Sequence, residues 1–430
     1  MECIRRASSF ALVMMLLVAA SACLAQRPLS KTESGARPTT GATDPNLAPL
    51  DRLMISFVKE HHAPGAALAV ARHGRLVYAR GFGLADKEKK EPVEPHALFR
   101  IASISKPITA AAILQLVERK KLKLDDKVFD LLKLEPYEHP GSTFDPRWKQ
   151  ITILQLLHHT GGFDSDKSFD PMFASFRIVK ALGVDPPADQ QAIIRYTMGL
   201  PLDFEPGKRF AYSNFGYCLL GRVIEKASGQ TYEDYVRKEV LAPLGIHTMR
   251  LGKTLPAGRA KGEVVYYDEK NRTGPSVFES KRGLQAPLPY GAWNLEAMDS
   301  HGGWIASAPD LVRLAAAFAE PDHCKILKPH SIAVLFARPD GPAGLNKKGK
   351  PLASYYACGW QVNPGKPEPT YWHGGALDGT STLLVHRHDG FTWAALFNTL
   401  KDSQGKEMAD EIDPLVHEAV DAVKKWPVSK

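Results

Sequence analysis

Three short segments, far apart in the chain, carry the residue types of an acyl-transfer site: Ser103-Ile104-Ser105-Lys106, Tyr212-Ser213-Asn214 and His373-Gly374-Gly375. A Lys three residues after a Ser shares its helix face, so nucleophile and base can come from a single turn. Residues 108–118 are strongly helical. They place Ser103 at or near a helix N-terminus, with Pro107 near the first turn, where a missing N–H does least harm. The positive end of that helix favours a neutral Lys106 and a developing oxyanion, and partial burial lowers the lysine pKa further. The Tyr212 hydroxyl can relay or accept a proton if a nearby cation lowers its pKa. Asn214 can accept from Lys106 and donate to a substrate carbonyl. Gly374 and Gly375 allow close approach of a ligand backbone to a strand, whose N–H groups can face an oxyanion.

Each segment alone has a plainer reading. Ser103 can be a helix cap beside a solvated Lys106. Asn214 can cap the helix that follows it. His373-Gly374-Gly375, taken alone, reads as a turn between strands. The order and wide spacing of the three are what point to chemistry.

The elements that must position these residues are legible in outline. Leu53, Met54, Phe57 and Val58 recur at helical spacing, which predicts an amphipathic helix over residues 51–61. Residues 66–71 and 76–82 read as two strands joined by a tight turn at His73-Gly74. Near the C-terminus, residues 356–362, 380–386 and 391–398 are β-rich, and a closing helix follows over residues 405–424. The middle is mostly helical, with helices expected over residues 152–158, 188–198, 215–228 and 231–241. Ser307-Ala308-Pro309-Asp310 has the pattern of a helix start. Strands at both ends with helices between predict one sheet built from both termini, at least partly antiparallel. That is an α+β fold with an inserted, mostly helical domain.

Length and composition are those of an ordinary globular protein: 430 residues, 44% hydrophobic and 24% charged. The net charge of +8 comes from scattered basic residues, which reads as a solvated surface and excludes nucleic acid as a partner. Arg5 and Arg6 followed by the apolar residues 10–20 read as an export signal, residues 1–25. Cleavage fits after Ala22 or Ala25, and Cys23 also resembles a lipoprotein acceptor, the sole membrane link expected. Residues 26–47 read as a flexible linker. The expected location is periplasmic or secreted. Cys218, Cys324 and Cys358 show no paired spacing and read as free thiols, buried by default. His61-His62 and His158-His159 are adjacent pairs rather than a helical metal site, so no metal is expected.

Taken together, the three segments resemble the serine β-lactamase-like superfamily, which includes class C β-lactamases, low-molecular-weight D,D-peptidases, D-aminopeptidases and family VIII carboxylesterases. Pro64-Gly65-Ala66, Gly81-Phe82-Gly83-Leu84-Ala85-Asp86, Leu156-Leu157-His158-His159-Thr160-Gly161-Gly162 and Gly302-Gly303-Trp304 add to the resemblance, which spans residues 50–400. It implies a β-lactamase/transpeptidase-like catalytic domain over residues 48–415. The sheet part would be residues 48–118 and 300–425, and the helical part 119–299. It implies Ser103 as acylated nucleophile and Lys106 as its base partner. Tyr212 would be general base and acid, coupled to Lys106. Asn214 would hold the substrate, and the backbone N–H groups of Ser103 and Ala376 would form the oxyanion hole. His373 and Gly374 depart from the Lys and Thr with which β-lactamases grip a substrate carboxylate. Gly375 keeps the pattern. Trp360, Tyr371 and Trp372 can add apolar contact for an acyl group, with core packing as the alternative.

The expected activity is that of an exported serine hydrolase. It would act on carboxylic esters or small amides and peptides through an acyl-serine, without a cofactor. D,D-carboxypeptidase, D-aminopeptidase and β-lactamase activities are the alternatives. A sensor that is acylated without turnover is the rival from another class. Substrate selectivity is expected to reside in loops such as residues 262–293.

Overall fold

Alternating side chains near the N-terminus fold into a hairpin. In the computed structural model, which describes residues 37–278, 283–365 and 368–427, its strands are β1 (Gly65–Arg72) and β2 (Arg75–Asp86). His73 and Gly74 turn it with φ of 46° and 73°, the left-handed pair that matches strand twist in a two-residue turn. β3 (Thr370–Leu377), β4 (Thr380–His386) and β5 (Phe391–Phe397) form an antiparallel meander, and β5 pairs with β1. One sheet therefore comes from both ends of the chain, in the order β2-β1-β5-β4-β3 at its centre. This is the expected α+β, β-lactamase/transpeptidase-like architecture.

Five helices position the site: α1 (Ala48–Glu60), α2 (Ser105–Glu118), α3 (Asn214–Ser228), α4 (Ala308–Ala316) and α5 (Met408–Asp421). Successive strand residues face opposite sides of the sheet. Leu68, Val70, Trp393 and Ala395 share a core with Met54 and Phe57 of α1 and Ile412 and Val416 of α5. Ala67, Ala69, Ala394 and Leu396 belong to the other core, with α4 and the helical part of the chain. α2 is apolar nearly all round, from Ile108 through Ala112 to Leu116, so it runs through the middle of that core rather than along a surface. The start of α4 forms as its sequence predicts: Ser307 Oγ accepts from the Asp310 amide at 3.3 Å.

Three expectations are corrected. Residues 356–362 are not one strand but two short ones, Tyr355–Tyr356 and Gln361–Asn363, which pair with each other. Gly359, at φ 77°, turns the chain between them, and a Cβ there would stand 2.9 Å from Lys106 O. The helix expected over residues 231–241 is α-helical only at Tyr232–Tyr235 and continues as π-helix over Val236–Leu241. Part of the expected linker is ordered: Thr39–Thr40 pairs with the Gly81–Phe82 stretch of β2, and Leu47 is buried. Side-chain bonds hold it there, from Arg80 Nε to Thr40 O at 3.0 Å and from Thr40 Oγ1 to Val93 O at 2.5 Å. The expected export signal and Cys23 lie outside the described residues. Among the described residues, no helix is long and apolar enough to cross a membrane.

The start of α5 makes stability depend on pH. Burial, and then Asp410, pushes the Glu407 carboxyl up to about 7. A carboxyl raised on folding binds its proton more tightly in the folded state. Its contribution to stability is complete below the ordinary glutamate range near pH 4.3 and is lost as pH rises through about 7. Glu407→Gln is expected to narrow the difference in urea midpoint between pH 5 and pH 8. Equal pH dependence in both proteins would contradict this assignment.

Candidate active site

The nucleophile turn is clamped before α2 begins. Phe99–Arg100 pairs with Trp304–Ala306, and the Ile101 amide donates to Trp304 O at 3.0 Å. Ala102 then takes φ 45°, a left-handed conformation that costs a non-glycine residue roughly 1 kcal/mol. Ser103 follows in a 3-10 turn, Ala102–Ile104, which runs directly into α2. Arg100 holds the flanking loops: its guanidinium donates to Pro289 O at 2.6 Å, Lys253 O at 2.8 Å and Thr254 O at 3.0 Å. β3 presses on the same turn from the other side. A Cβ at Gly375 would stand 2.2 Å from Ile101 O, so only glycine allows this approach.

Lys106 is fully buried and has three close partners: Ser103 Oγ at 2.9 Å, Asn214 Oδ1 at 2.8 Å and His301 O at 3.0 Å. Two of these are acceptors only. A neutral amine has two N–H groups and one lone pair. Its hydrogens satisfy Asn214 and His301, and its lone pair is left for the Ser103 hydroxyl. Burial pushes the Lys106 pKa down to about 7, against an opposing pull from Asp170, so the neutral form is accessible near neutral pH. The rings of Tyr212 and Tyr217 lie 4.7 and 5.8 Å from the amine.

α3 delivers the second segment. Its cap is Ser213, whose Oγ accepts from the Gly216 amide at 3.2 Å, not Asn214. Asn214 is the first helical residue. Its side chain is engaged elsewhere: Oδ1 accepts from Lys106, and Nδ2 donates to Asp170 Oδ2 at 2.7 Å. The Tyr212 hydroxyl interacts with Ser103, which favours its ionised form, but burial outweighs this and raises the pKa above the usual phenol range. Tyr212 is therefore a neutral phenol in the resting site, and Lys106 is the better base.

The third segment is continuous strand rather than a turn. β3 pairs with β4 from Tyr371 to Leu377, but with Gln361–Asn363 only from Thr370 to Trp372. Among the described residues, the edge of His373, Gly374, Gly375 and Ala376 faces no strand, which leaves it open to an extended ligand. His373 is buried and shares a hydrogen bond with the Tyr356 hydroxyl, Nε2 to O 2.9 Å. Burial and then Lys106 push its pKa down to about 3, so it carries no charge at neutral pH. Trp360 and Tyr371 pack against each other in the core, and Trp372 packs on the opposite face of the sheet. None of the three is needed as an acyl contact.

The structure thus brings Ser103, Lys106, Tyr212 and Asn214 together, with the His373–Ala376 strand alongside. Sequence reading missed three neighbours. His159, treated above as an ordinary histidine, is buried, lies 4.3 Å from the Tyr212 ring and accepts the Ser213 amide at Nδ1, 3.1 Å. Its place inside the family-like stretch at residues 156–162 was the available signal. Tyr356 and Asp170 gave none beyond a strand residue and an Asp-Pro helix start.

Comparison with known proteins agrees with this geometry. The family model described as Beta-lactamase matches residues 50–417. Esterase EstB of Burkholderia gladioli is 32% identical over 271 residues, 62% of this chain and 62% of that protein. Protein flp of Staphylococcus aureus (strain N315) is 27% identical over 347 residues, 80% of this chain and 61% of that protein. The chain thus spans about three fifths of the length of these curated relatives. Among solved structures, the octameric penicillin-binding protein homologue from Pyrococcus abyssi superposes with a TM-score of 0.64 at 25% identity, covering 87% of this chain and 77% of that one.

Proposed function

The chain belongs to the beta-lactamase family, and on that premise we propose that it is an exported serine hydrolase of carboxylic esters or small amides, working through an acyl-Ser103 intermediate. One observation carries the reading: a buried Lys106 amine 2.9 Å from the Ser103 hydroxyl, with its two other contacts made to groups that only accept. Lys106 takes the Ser103 proton as Oγ attacks the substrate carbonyl. The carbonyl oxygen becomes an anion, held by the backbone N–H groups of Ser103 and Ala376. The proton passes from Lys106 by way of the Tyr212 hydroxyl to the leaving group. Water then cleaves the acyl-ester by the reverse relay. The N-terminal signal residues support export.

Ester selectivity is argued from β3. His373 is uncharged and Gly374 lacks a hydroxyl, so the third segment offers no cation to a carboxylate beside the scissile bond. The relative named an esterase fits the same preference. His373→Lys is expected to raise kcat/KM on a cephalosporin relative to a neutral p-nitrophenyl ester by about ten- to a hundredfold, the worth of one charge-assisted hydrogen bond. Adding Gly374→Thr should enlarge the effect. The nearest atom to a Cβ at Gly374 is Thr382 O at 3.7 Å, ordinary contact, so a β-carbon is accepted there without displacing the backbone. A cephalosporin-to-ester ratio that stays level or falls would remove the basis for preferring esters.

A further inference from the structure

The Asn214 amide lies between two groups of opposite charge. Its oxygen accepts from Lys106 at 2.8 Å, and its nitrogen donates to Asp170 at 2.7 Å. Asp170 itself is fixed: its Oδ1 accepts the Met172 amide at 3.0 Å and caps the Pro171–Phe173 turn. Among the described residues, Asp170 makes no ion pair. We propose that Asp170 is a positioning residue of the hydrolase: its carboxylate fixes the orientation of the Asn214 amide and balances the charge that Lys106 takes up from Ser103. The proposal rests on the reading of Lys106 as the base.

The first half follows from donor and acceptor chemistry. A side-chain amide turned by half a revolution would offer its N–H to the lysine lone pair that Ser103 needs, or meet the N–H groups of a protonated Lys106, and would set its oxygen against the Asp170 carboxylate, a repulsive contact. With Asp170 in place, one orientation is fixed, and it presents Oδ1 to Lys106, so that this oxygen and His301 O take the two lysine N–H groups and the lone pair is left for Ser103.

The second half follows from the groups around Lys106. Ser103 faces it from the turn, and the phenols Tyr212 and Tyr217 from the segment just before α3 and from α3 itself. His159, His301 and His373 face it from the loop before Gly161, the loop before Trp304 and β3, and burial lowers all three so that they stay uncharged near neutral pH. Asp170 is the carboxylate whose field reaches the amine, and it raises the lysine pKa against burial. When Lys106 is protonated, the arrangement is an ion pair bridged by an amide. Without the carboxylate, the ammonium would stand buried with neutral partners alone, a costly state.

The test uses the full chain with two variants. Asp170→Asn removes the charge. Asp170→Ser also removes it but keeps a hydroxyl able to cap the Met172 amide. Thermal melting establishes folding. The readouts are kcat/KM on p-nitrophenyl acetate and the rate of fluorophosphonate labelling at Ser103, each measured from pH 5 to pH 9. The expected result in both variants is a plateau about ten- to a hundredfold lower, the effect of losing a hydrogen bond to a charged group, and an acidic limb displaced to lower pH. A residue that only capped a turn would leave the limb in place, and the Ser variant would match the parent. A limb that does not move in either variant overturns the proposal, whatever happens to the plateau. A parent protein that Ser103 reagents do not label would overturn the hydrolase reading instead, and the proposal with it.

Discussion

Ser103→Ala is expected to lower ester turnover by about four or more orders of magnitude and to abolish covalent labelling, while the melting temperature stays close to that of the parent. The size of the loss reflects a change of pathway: without Oγ no acyl-enzyme can form, and only water remains as nucleophile. The fold should survive because the side chain's contacts are local. Oγ meets Lys106 at 2.9 Å and interacts with Tyr212, whereas the turn is held by backbone bonds at Ile101 and Ile104 and by the Arg100 clamp. The measurement is kcat/KM on a p-nitrophenyl ester together with a thermal melt. Near-parent activity in a folded Ser103→Ala protein would rule out the mechanism.

Lys106→Ala and Tyr212→Phe are each expected to lower kcat by about two to four orders of magnitude, and the double variant to lose little more than the worse single one. The two groups share one proton path, so removing either interrupts it. Their roles differ in one readout. Lys106 titrates at about 7 and must be neutral to act, so the acidic limb of kcat/KM belongs to it. That limb should disappear in Lys106→Ala and persist in Tyr212→Phe, because the parent's Tyr212 phenol is held neutral by burial and contributes no acidic limb of its own. Additive losses would show that only one of the two moves the proton.

Much of this arrangement is legible in the sequence because it is local. Ser103 and Lys106 share a helical turn, and the helix start follows from the apolar run behind them. The β1–β2 hairpin is set by alternation and by His73-Gly74. The identity of a cap was less legible. Ser213 and Asn214 are both good caps, and the choice is made by Lys106 and Asp170, which are distant in sequence and hold Asn214. Distance in sequence also hid His159 and Tyr356, whose partners Ser213 and His373 lie on other elements. Residues 356–362 read as one strand because the pattern of apolar residues is continuous. The break at Gly359 comes from how closely it packs on α2. The pKa of Tyr212 went the other way from the expectation that a nearby cation lowers it, because complete burial costs a phenolate more than the hydrogen bond with Ser103 returns, and Asp170 adds to that cost.

The most direct test of the account is an acid quench during the first turnover of a p-nitrophenyl ester, followed by intact mass measurement and peptide mapping. A burst of p-nitrophenol approaching one equivalent is expected when deacylation is the slower step, with an acyl group on the peptide that contains Ser103. Continued turnover with no acylated protein at any time point, or with the acyl group on another residue, would contradict it.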